Sequence, residues 1–234
     1  MTQELFREDA YLRDAEASVV AVDERGIRLD RTVFYFRSGG QAGDAGTLVG
    51  PDGAPIAIAD TMKGEVPGEI VHVPAAAHAL KPGDKVAARI DWERRHRHMR
   101  FHTATHLLCA IVPYQTNGCS ITEGYARLDF DMVEPLEREH LERELERLVS
   151  EAHDVRTVWI TDDELDAKPE LVRTMSVKPP RGLGRVRLLE IDGVDLQPCG
   201  GTHVANTREI GGLRVAKIEK KSARTRRVVL EFKD

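Results

Sequence analysis

Between Asp91 and Pro113 lie twenty-one residues, Trp92 to Val112, without a glycine or proline. Nothing of that length occurs between Gly26 and Asp91. The first ninety residues are cut repeatedly by turn formers: Asp23-Glu24-Arg25-Gly26, the run Ser38 to Gly46, Pro51-Asp52-Gly53, Pro67-Gly68 and Lys81-Pro82-Gly83-Asp84. A backbone free of breakers, with Leu107, Leu108, Ile111 and Val112 as an apolar stripe, predicts a long helix that Pro113 stops. The punctuated stretch before it predicts short strands, near 17–21, 27–35, 46–49, 54–60, 68–73 and 84–90. Many short strands at this spacing suggest a small barrel. The change of character divides the chain into residues 1–90 and 91–234.

Beyond the helix the pattern mixes both periods. Residues 115–124 read as turns around a short strand, and Ala126 to Phe130 alternates as a strand. Leu141, Leu145, Leu148 and Ala152 follow a helical rhythm within a second long helix, Glu134 to His153, with Pro135 in its first turn. Val155 to Ile160 is strand-like, and Thr161-Asp162-Asp163-Glu164 is an N-cap with an acidic first turn. Pro179-Pro180-Arg181-Gly182 marks a loop, Val186 to Ile191 a strand, and Pro198 to Gly201 another loop. Leu213 to Ile218 and Arg227 to Phe232 form a terminal hairpin. The expected class is therefore α+β: an N-terminal β-barrel, then a domain of long helices packed on a mostly antiparallel sheet.

Inside the predicted helix, His102 and His106 are four residues apart and so share one face. His98 continues the series, so spacing alone allows His98–His102 as well. Phe101, Leu107 and Leu108 bracket the second pair, whereas His98 lies among arginines that oppose a dication. Far downstream, Cys199-Gly200-Gly201-Thr202-His203 offers a thiol and an imidazole on a flexible loop. Three histidines and a cysteine in two close-spaced pairs form a nitrogen–sulfur ligand set that suits tetrahedral zinc. Cys109, within the helix, and Cys119, in a turn, have no matching partner. No glutamate follows the first histidine, as it does in the HExxH metalloproteases, so a built-in base for amide hydrolysis is missing. An activated ester needs less help, and a metal-assisted water suffices.

The formal net charge is −5, which counts against a large polyanion interface. Two local basic patches remain: Arg94, Arg95, Arg97 and Arg100 beside the histidines, and Lys217, Lys220, Lys221, Arg224, Arg226 and Arg227 near the end. Each alone reads first as a solvated face. No run approaches the ~18 apolar residues of a membrane helix. The N-terminus lacks the apolar core of a signal peptide, and three cysteines are too few for a disulfide framework, so a cytoplasmic protein is expected.

Asp91-Trp92-Glu93-Arg94-Arg95, Met99 to Leu108, Cys199 to His203 and Ile210-Gly211 through Lys220 resemble the free-standing alanyl-tRNA editing proteins of the AlaX family. They are similar also to the editing domains of alanyl-tRNA synthetase and, more distantly, threonyl-tRNA synthetase. The resemblance runs over roughly residues 10–234. It implies a zinc-dependent deacylase that removes serine, and possible glycine, from mischarged tRNA(Ala), acting in trans. A pocket sized for alanine poorly rejects an added hydroxyl, which is why a second, hydrolytic selection is needed. By the same resemblance His102, His106, Cys199 and His203 are the zinc ligands. The resemblance makes Thr116 the candidate to face the serine hydroxyl. Gly39, Gly40 and Gln41 match a glycine motif, although Phe36-Arg37-Ser38 precedes two glycines here rather than three. Arg94, Arg95, Arg97, Arg100, Lys217, Lys220 and Lys221 are candidates to meet tRNA phosphates. The alternatives are a non-enzymatic zinc-stabilised module that binds tRNA or a synthetase, and editing of seryl-tRNA(Thr).

Overall fold

The structure, a computed structural model, describes residues 1–175 and 184–233. The loop expected at Pro179 to Gly182 lies outside the described residues. By its internal contacts the chain forms two compact units, Met1–Arg97 and His98–Asp234.

In the first unit, β1 (Gln3–Glu4) pairs in parallel with β4 (Arg31–Thr32). The six strands β2 (Asp14–Asp23), β3 (Gly26–Leu29), β5 (Gly46–Val49), β6 (Pro55–Lys63), β7 (Ile70–Pro74) and β8 (Lys85–Ile90) close a barrel in the order β2-β3-β7-β6-β5-β8. Alternation explains which side chains fill it. In β8, Val86, Ala88 and Ile90 point inward while Lys85, Ala87 and Arg89 face water. They meet Val19, Ile27, Leu29, Phe34, Leu48 and Ile58 in one apolar core. Full closure leaves these strands without an exposed edge.

The hairpin between β2 and β3 turns through Glu24-Arg25, with the Arg25 amide donating to Asp23 Oδ1 at 2.9 Å. Gly26 follows at φ 138°, and a Cβ there would stand 2.3 Å from the His72 carbonyl oxygen. The strand expected over 27–35 is shorter than that. It stops at Leu29, because Asp30 turns back to bond both ways with Ser18, and Thr32 accepts the Phe34 amide through its hydroxyl. The glycine-rich segment is a two-residue turn: Ser38 and Gln41 exchange backbone hydrogen bonds at 3.1 and 2.9 Å, and Gly39 and Gly40 both have positive φ.

His72 and Arg95 are among the polar groups buried in this unit. His72 is fully buried, its Nδ1–H donating to the Ile27 carbonyl at 3.1 Å while Nε2 accepts from the Thr32 hydroxyl at 2.7 Å. Arg95 is also fully buried. Its Nε donates to Asp44 at 2.9 Å, Nη1 to the Ala10 carbonyl at 2.9 Å and Nη2 to the Val33 carbonyl at 2.6 Å. Asp44 accepts the Tyr35 amide as well, at 2.6 Å. The guanidinium thus ties Ala10 to both ends of the Val33–Asp44 stretch.

Helix α1 (Trp92–Ile111) has the length and stop that the sequence predicts. In the second unit, β14 (Leu213–Ser222), β15 (Thr225–Phe232), β10 (Ala126–Asp131) and β9 (Thr116–Ile121) form an antiparallel sheet in that order. A second antiparallel sheet orders β11 (Val155–Ile160), β12 (Val186–Ile191) and β13 (Asp195–Pro198). Helix α2 (Arg138–Ser150) buries Leu141, Leu145 and Leu148, and its Glu142 accepts the Val215 amide of β14 at 2.8 Å. Helix α3 (Asp162–Asp166) opens on a capping box between Thr161 and Glu164.

The fold is α+β as expected, but past α1 the helices are short, 13 residues in α2 and 5 in α3. Pro135 lies ahead of α2, not in its first turn. The chain must first leave the sheet, where the Met132 amide donates to the Arg224 carbonyl at 3.0 Å, and Glu137 is still extended. Ala152, expected on the apolar stripe, sits past the helix end in a left-handed conformation at φ 59°. Cys119 lies in strand β9 rather than a turn.

Two stability predictions follow from the buried polar groups. Replacing Asp44 by Asn leaves a buried guanidinium uncompensated and costs about 3–5 kcal/mol in urea unfolding at pH 7; a change below about 1 kcal/mol would show that the pair is dispensable. Burial holds His72 down to about 4, against an ordinary value of 6.5, despite its bond to the Ile27 carbonyl. The unfolded chain then takes up the proton first, so stability falls as pH drops from about 6.5 to about 4, on the order of 3 kcal/mol from this group. His72→Gln removes that part of the slope; a parallel pH profile for wild type and variant would refute it.

Candidate metal centre

One turn of α1 separates His102 from His106, and their rings lie 5.6 Å apart between centroids. The loop after β13 brings Cys199 and His203 to the same place. His102 Nε2 is 3.4 Å and His203 Nε2 3.2 Å from Cys199 Sγ, and one donor atom from each of the four residues falls within 4.8 Å of all the others. Four ligands at zinc bond lengths of about 2.0–2.3 Å place tetrahedral neighbours roughly 3.3–3.7 Å apart. The two distances to Cys199 Sγ are close to that spacing. The three imidazoles are buried and Cys199 is half-buried, so the thiol marks the more open side.

Neighbouring groups aim the ligands. His106 donates Nδ1–H to Asp195 Oδ2 at 2.8 Å, which leaves Nε2 for a metal. The Thr103 hydroxyl donates to the Met99 carbonyl at 3.0 Å, so toward His203 Nδ1, 3.2 Å away, it can only accept. His203 therefore also offers Nε2. Gln197 donates Nε2–H to Asp195 Oδ2 at 2.7 Å, and Arg173 Nη1 stands 3.9 Å from Asp195 Oδ1. Arg187 Nη1 donates to the Cys199 carbonyl at 2.6 Å and to that of Gly201 at 3.3 Å, pinning the loop, while the Gly201 amide donates to Cys199 Sγ at 3.4 Å.

Asp195 and Gln197 were not among the sequence candidates. They sit on β13, a strand the sequence reading leaves out. Its signal is an inverted alternation: Asp195 and Gln197 are buried while Leu196 between them is 37% exposed. Period two carries Asp195, Gln197 and Cys199 to one face, toward α1.

The electrostatics suit a cation. Burial alone would raise the Cys199 thiol, but the charges of His102 and His203 and hydrogen bonds from His102 and His106 hold it well below its ordinary range. Burial opposes a charged His106, yet hydrogen bonds to Asp195 and Cys199 prevail and push it up to about 9. Burial, joined by the charge of His102, holds His203 well below 6.5. Positive charge is thus drawn to the space between Asp195 and Cys199. Burial pushes Cys109 and Cys119 both up to about 12, so neither presents a thiolate.

Residues 8–94 match the model for tRNA synthetases class II (A), and residues 186–229, which hold Cys199 and His203, match that for the threonyl and alanyl tRNA synthetase second additional domain. Over its whole length the chain is 37% identical to the alanyl-tRNA editing protein AlaX-M of Methanosarcina acetivorans, and 34% identical to that of Saccharolobus solfataricus, each covered to 100%. The chain belongs to the AlaX family. It is also 38% identical to the alanine–tRNA ligase of Metallosphaera sedula, across 94% of this chain and 25% of that protein.

The other AlaX-type candidates are placed as follows. Thr116 begins β9, buried, its amide donating to the Arg173 carbonyl at 2.9 Å and its hydroxyl 3.5 Å from the same oxygen. Gly39 and Gly40 form the tight turn described above, and Gln41 beside them is fully buried. Arg95, expected against tRNA, is instead fully buried on Asp44 and has no face to offer. His98, the alternative chelator, is fully buried and lies outside the four-residue cluster. Arg94 and Arg97 are half-buried, Arg94 donating to the Gly43 carbonyl. Arg100 donates to the Ile210 carbonyl at 2.8 Å and lies over the Phe232 ring. Lys217, Lys220 and Lys221 are exposed on β14, Lys217 paired with Glu219.

Because Asp195 fixes the tautomer of His106, Asp195→Asn should weaken metal binding by about 10–100-fold in a competition titration against a chromophoric chelator. Unchanged affinity would mean that His106 needs no such orientation.

Proposed function

We propose that the chain is a trans-editing deacylase that hydrolyses the ester of seryl-tRNA(Ala), and of glycyl-tRNA(Ala), at a zinc ion held by His102, His106, Cys199 and His203. The observation that carries this reading is the buried three-histidine, one-cysteine cluster within a chain that matches free-standing alanyl-tRNA editing proteins from end to end. Zinc, when bound there, supplies Lewis-acid polarisation and an anchor for a substrate amine or carbonyl.

The chain's own residues do the rest. Asp195 and Thr103 hold His106 and His203 with Nε2 turned inward. Arg187 keeps the Cys199 loop in place, so the open side of the cluster stays fixed. Thr116 is the candidate for the serine hydroxyl. A site built to hydrogen-bond that hydroxyl rejects alanine by more than the small loss a missing contact alone would bring. Arg94, Arg97, Arg100, Lys217, Lys220 and Lys221 are the proposed phosphate contacts, in a chain whose overall charge is negative. The proposed setting is the cytoplasm. Among the described residues, no helix is long and apolar enough to cross a membrane.

The test is deacylation of seryl-tRNA(Ala) and alanyl-tRNA(Ala) side by side. Seryl-tRNA(Ala) should be hydrolysed and alanyl-tRNA(Ala) spared, and His106→Ala should return the seryl ester to its spontaneous rate. Thr116→Val should lower kcat/KM for the seryl substrate by about 10–100-fold, with little change for the glycyl one. Equal slow loss of both aminoacyl groups, or full activity in the His106 variant, would overturn the proposal.

A further inference from the structure

The sheet β11-β12-β13 has two unlike faces. Val186 and Leu188 turn toward Leu165 of α3 and form a small apolar cluster. The opposite face carries Asp195, Gln197 and Cys199, whose chemistry belongs to the metal centre. The register extends this face across all three strands. Trp159 of β11 pairs with Arg187 of β12. Leu188 pairs with Pro198, so the next step of the same ladder sets Arg187 opposite Cys199, whose amide donates to the Arg187 carbonyl at 3.2 Å. Directly opposed residues share a face, so Trp159, Arg187 and Cys199 stand in one row. Two strand spacings of about 4.8 Å put Trp159 about 10 Å from the metal loop.

Trp159 is unusual in its surroundings. The residues of neighbouring rows on β12, Leu189 and Ile191, are buried, yet Trp159 keeps 46% exposure. The Arg185 guanidinium lies 4.6 Å from its ring centroid, and Arg187, the next member of the row, reaches the carbonyls of Cys199 and Gly201. A half-exposed indole with an arginine against its ring has the chemistry that receives a nucleobase: a π-face for stacking and a cation for the adjoining phosphate. Its distance from the cluster is comparable to the span between an ester on the ribose of a terminal nucleotide and that nucleotide's own base.

We infer that Trp159, with Arg185, is a stacking platform for the unpaired 3′-terminal adenine of the tRNA, which sets the ester beside the metal loop. The inference rests on the editing reading for the identity of the RNA. Stacking is indifferent to which amino acid is attached, so Trp159 contributes to holding the acceptor end and not to choosing serine. Trp159 is therefore a binding residue, and its loss should raise KM more than it lowers kcat.

The test uses the full-length chain with Trp92→Phe, which leaves Trp159 as the sole tryptophan, titrated with uncharged tRNA(Ala). Intact tRNA should quench Trp159 emission. The same tRNA lacking only its terminal adenosine should lose the quench and bind about five-fold or more weakly. In filter binding, which needs no tryptophan, Trp159→Ala should bind intact tRNA about five-fold or more weakly, with Trp159→Phe close to wild type, at unchanged metal content. Equal quenching and affinity with and without the adenosine would overturn the inference, as would tight binding by the alanine variant. Deacylation of seryl-tRNA(Ala) by the same preparation separates the two claims: activity without the adenosine effect refutes the platform alone, and the adenosine effect without activity refutes the editing reading alone.

Discussion

The hydrogen bond from His106 to Asp195 is the contact around which the second unit's chemistry is arranged. It joins the middle of α1 to β13 and sets which nitrogen of His106 faces Cys199. Asp195 also receives Gln197 and faces Arg173, whose carbonyl holds Thr116. One buried carboxylate thus links a ligand to the segment proposed to meet the substrate. A carboxylate, three imidazoles and a thiol gathered in so small a volume would be costly if left uncompensated. A dication at their centre would offset that cost, and the low value of the Cys199 thiol and the high value of His106 both express a preference for positive charge there.

The first unit handles buried polarity differently. Arg95 and Asp44 satisfy each other and three backbone groups, and His72 stays neutral between a hydroxyl and a carbonyl. These groups spend their bonds on one another and on backbone within the unit. The contrast separates polar groups that hold loops in place from polar groups that keep a coordination position. It also explains why the arginines that precede the histidines on α1 are not one patch. Arg95 is a structural anchor, whereas Arg97, only two residues on, is half-buried at the surface.

The two histidines and the cysteine–histidine pair were legible in the sequence because helical spacing and a Pro-Cys-Gly-Gly turn are local signals. The barrel was legible for the same reason: glycine and proline cut its strands where the chain must turn. What could not be read depends on contacts between distant residues. Strand β13 buries its polar side chains and exposes Leu196, the reverse of the usual rule, because its inner face meets α1 ligands about ninety positions earlier in the chain. The burial of Arg95 depends on Asp44, fifty-one positions away. The late start of α2 comes from sheet contacts of Met132, and the stop at Asp30 from bonds to Ser18, neither visible as periodicity.

The central claim is that His102, His106, Cys199 and His203 bind one zinc ion together. X-ray absorption spectroscopy on the zinc-loaded protein tests it directly. The account predicts a four-coordinate ion with one sulfur at about 2.3 Å and three nitrogens at about 2.0–2.1 Å, and loss of the sulfur shell in Cys199→Ser. A site without sulfur, a six-coordinate oxygen shell, or a sulfur shell that survives the Cys199 substitution would contradict it.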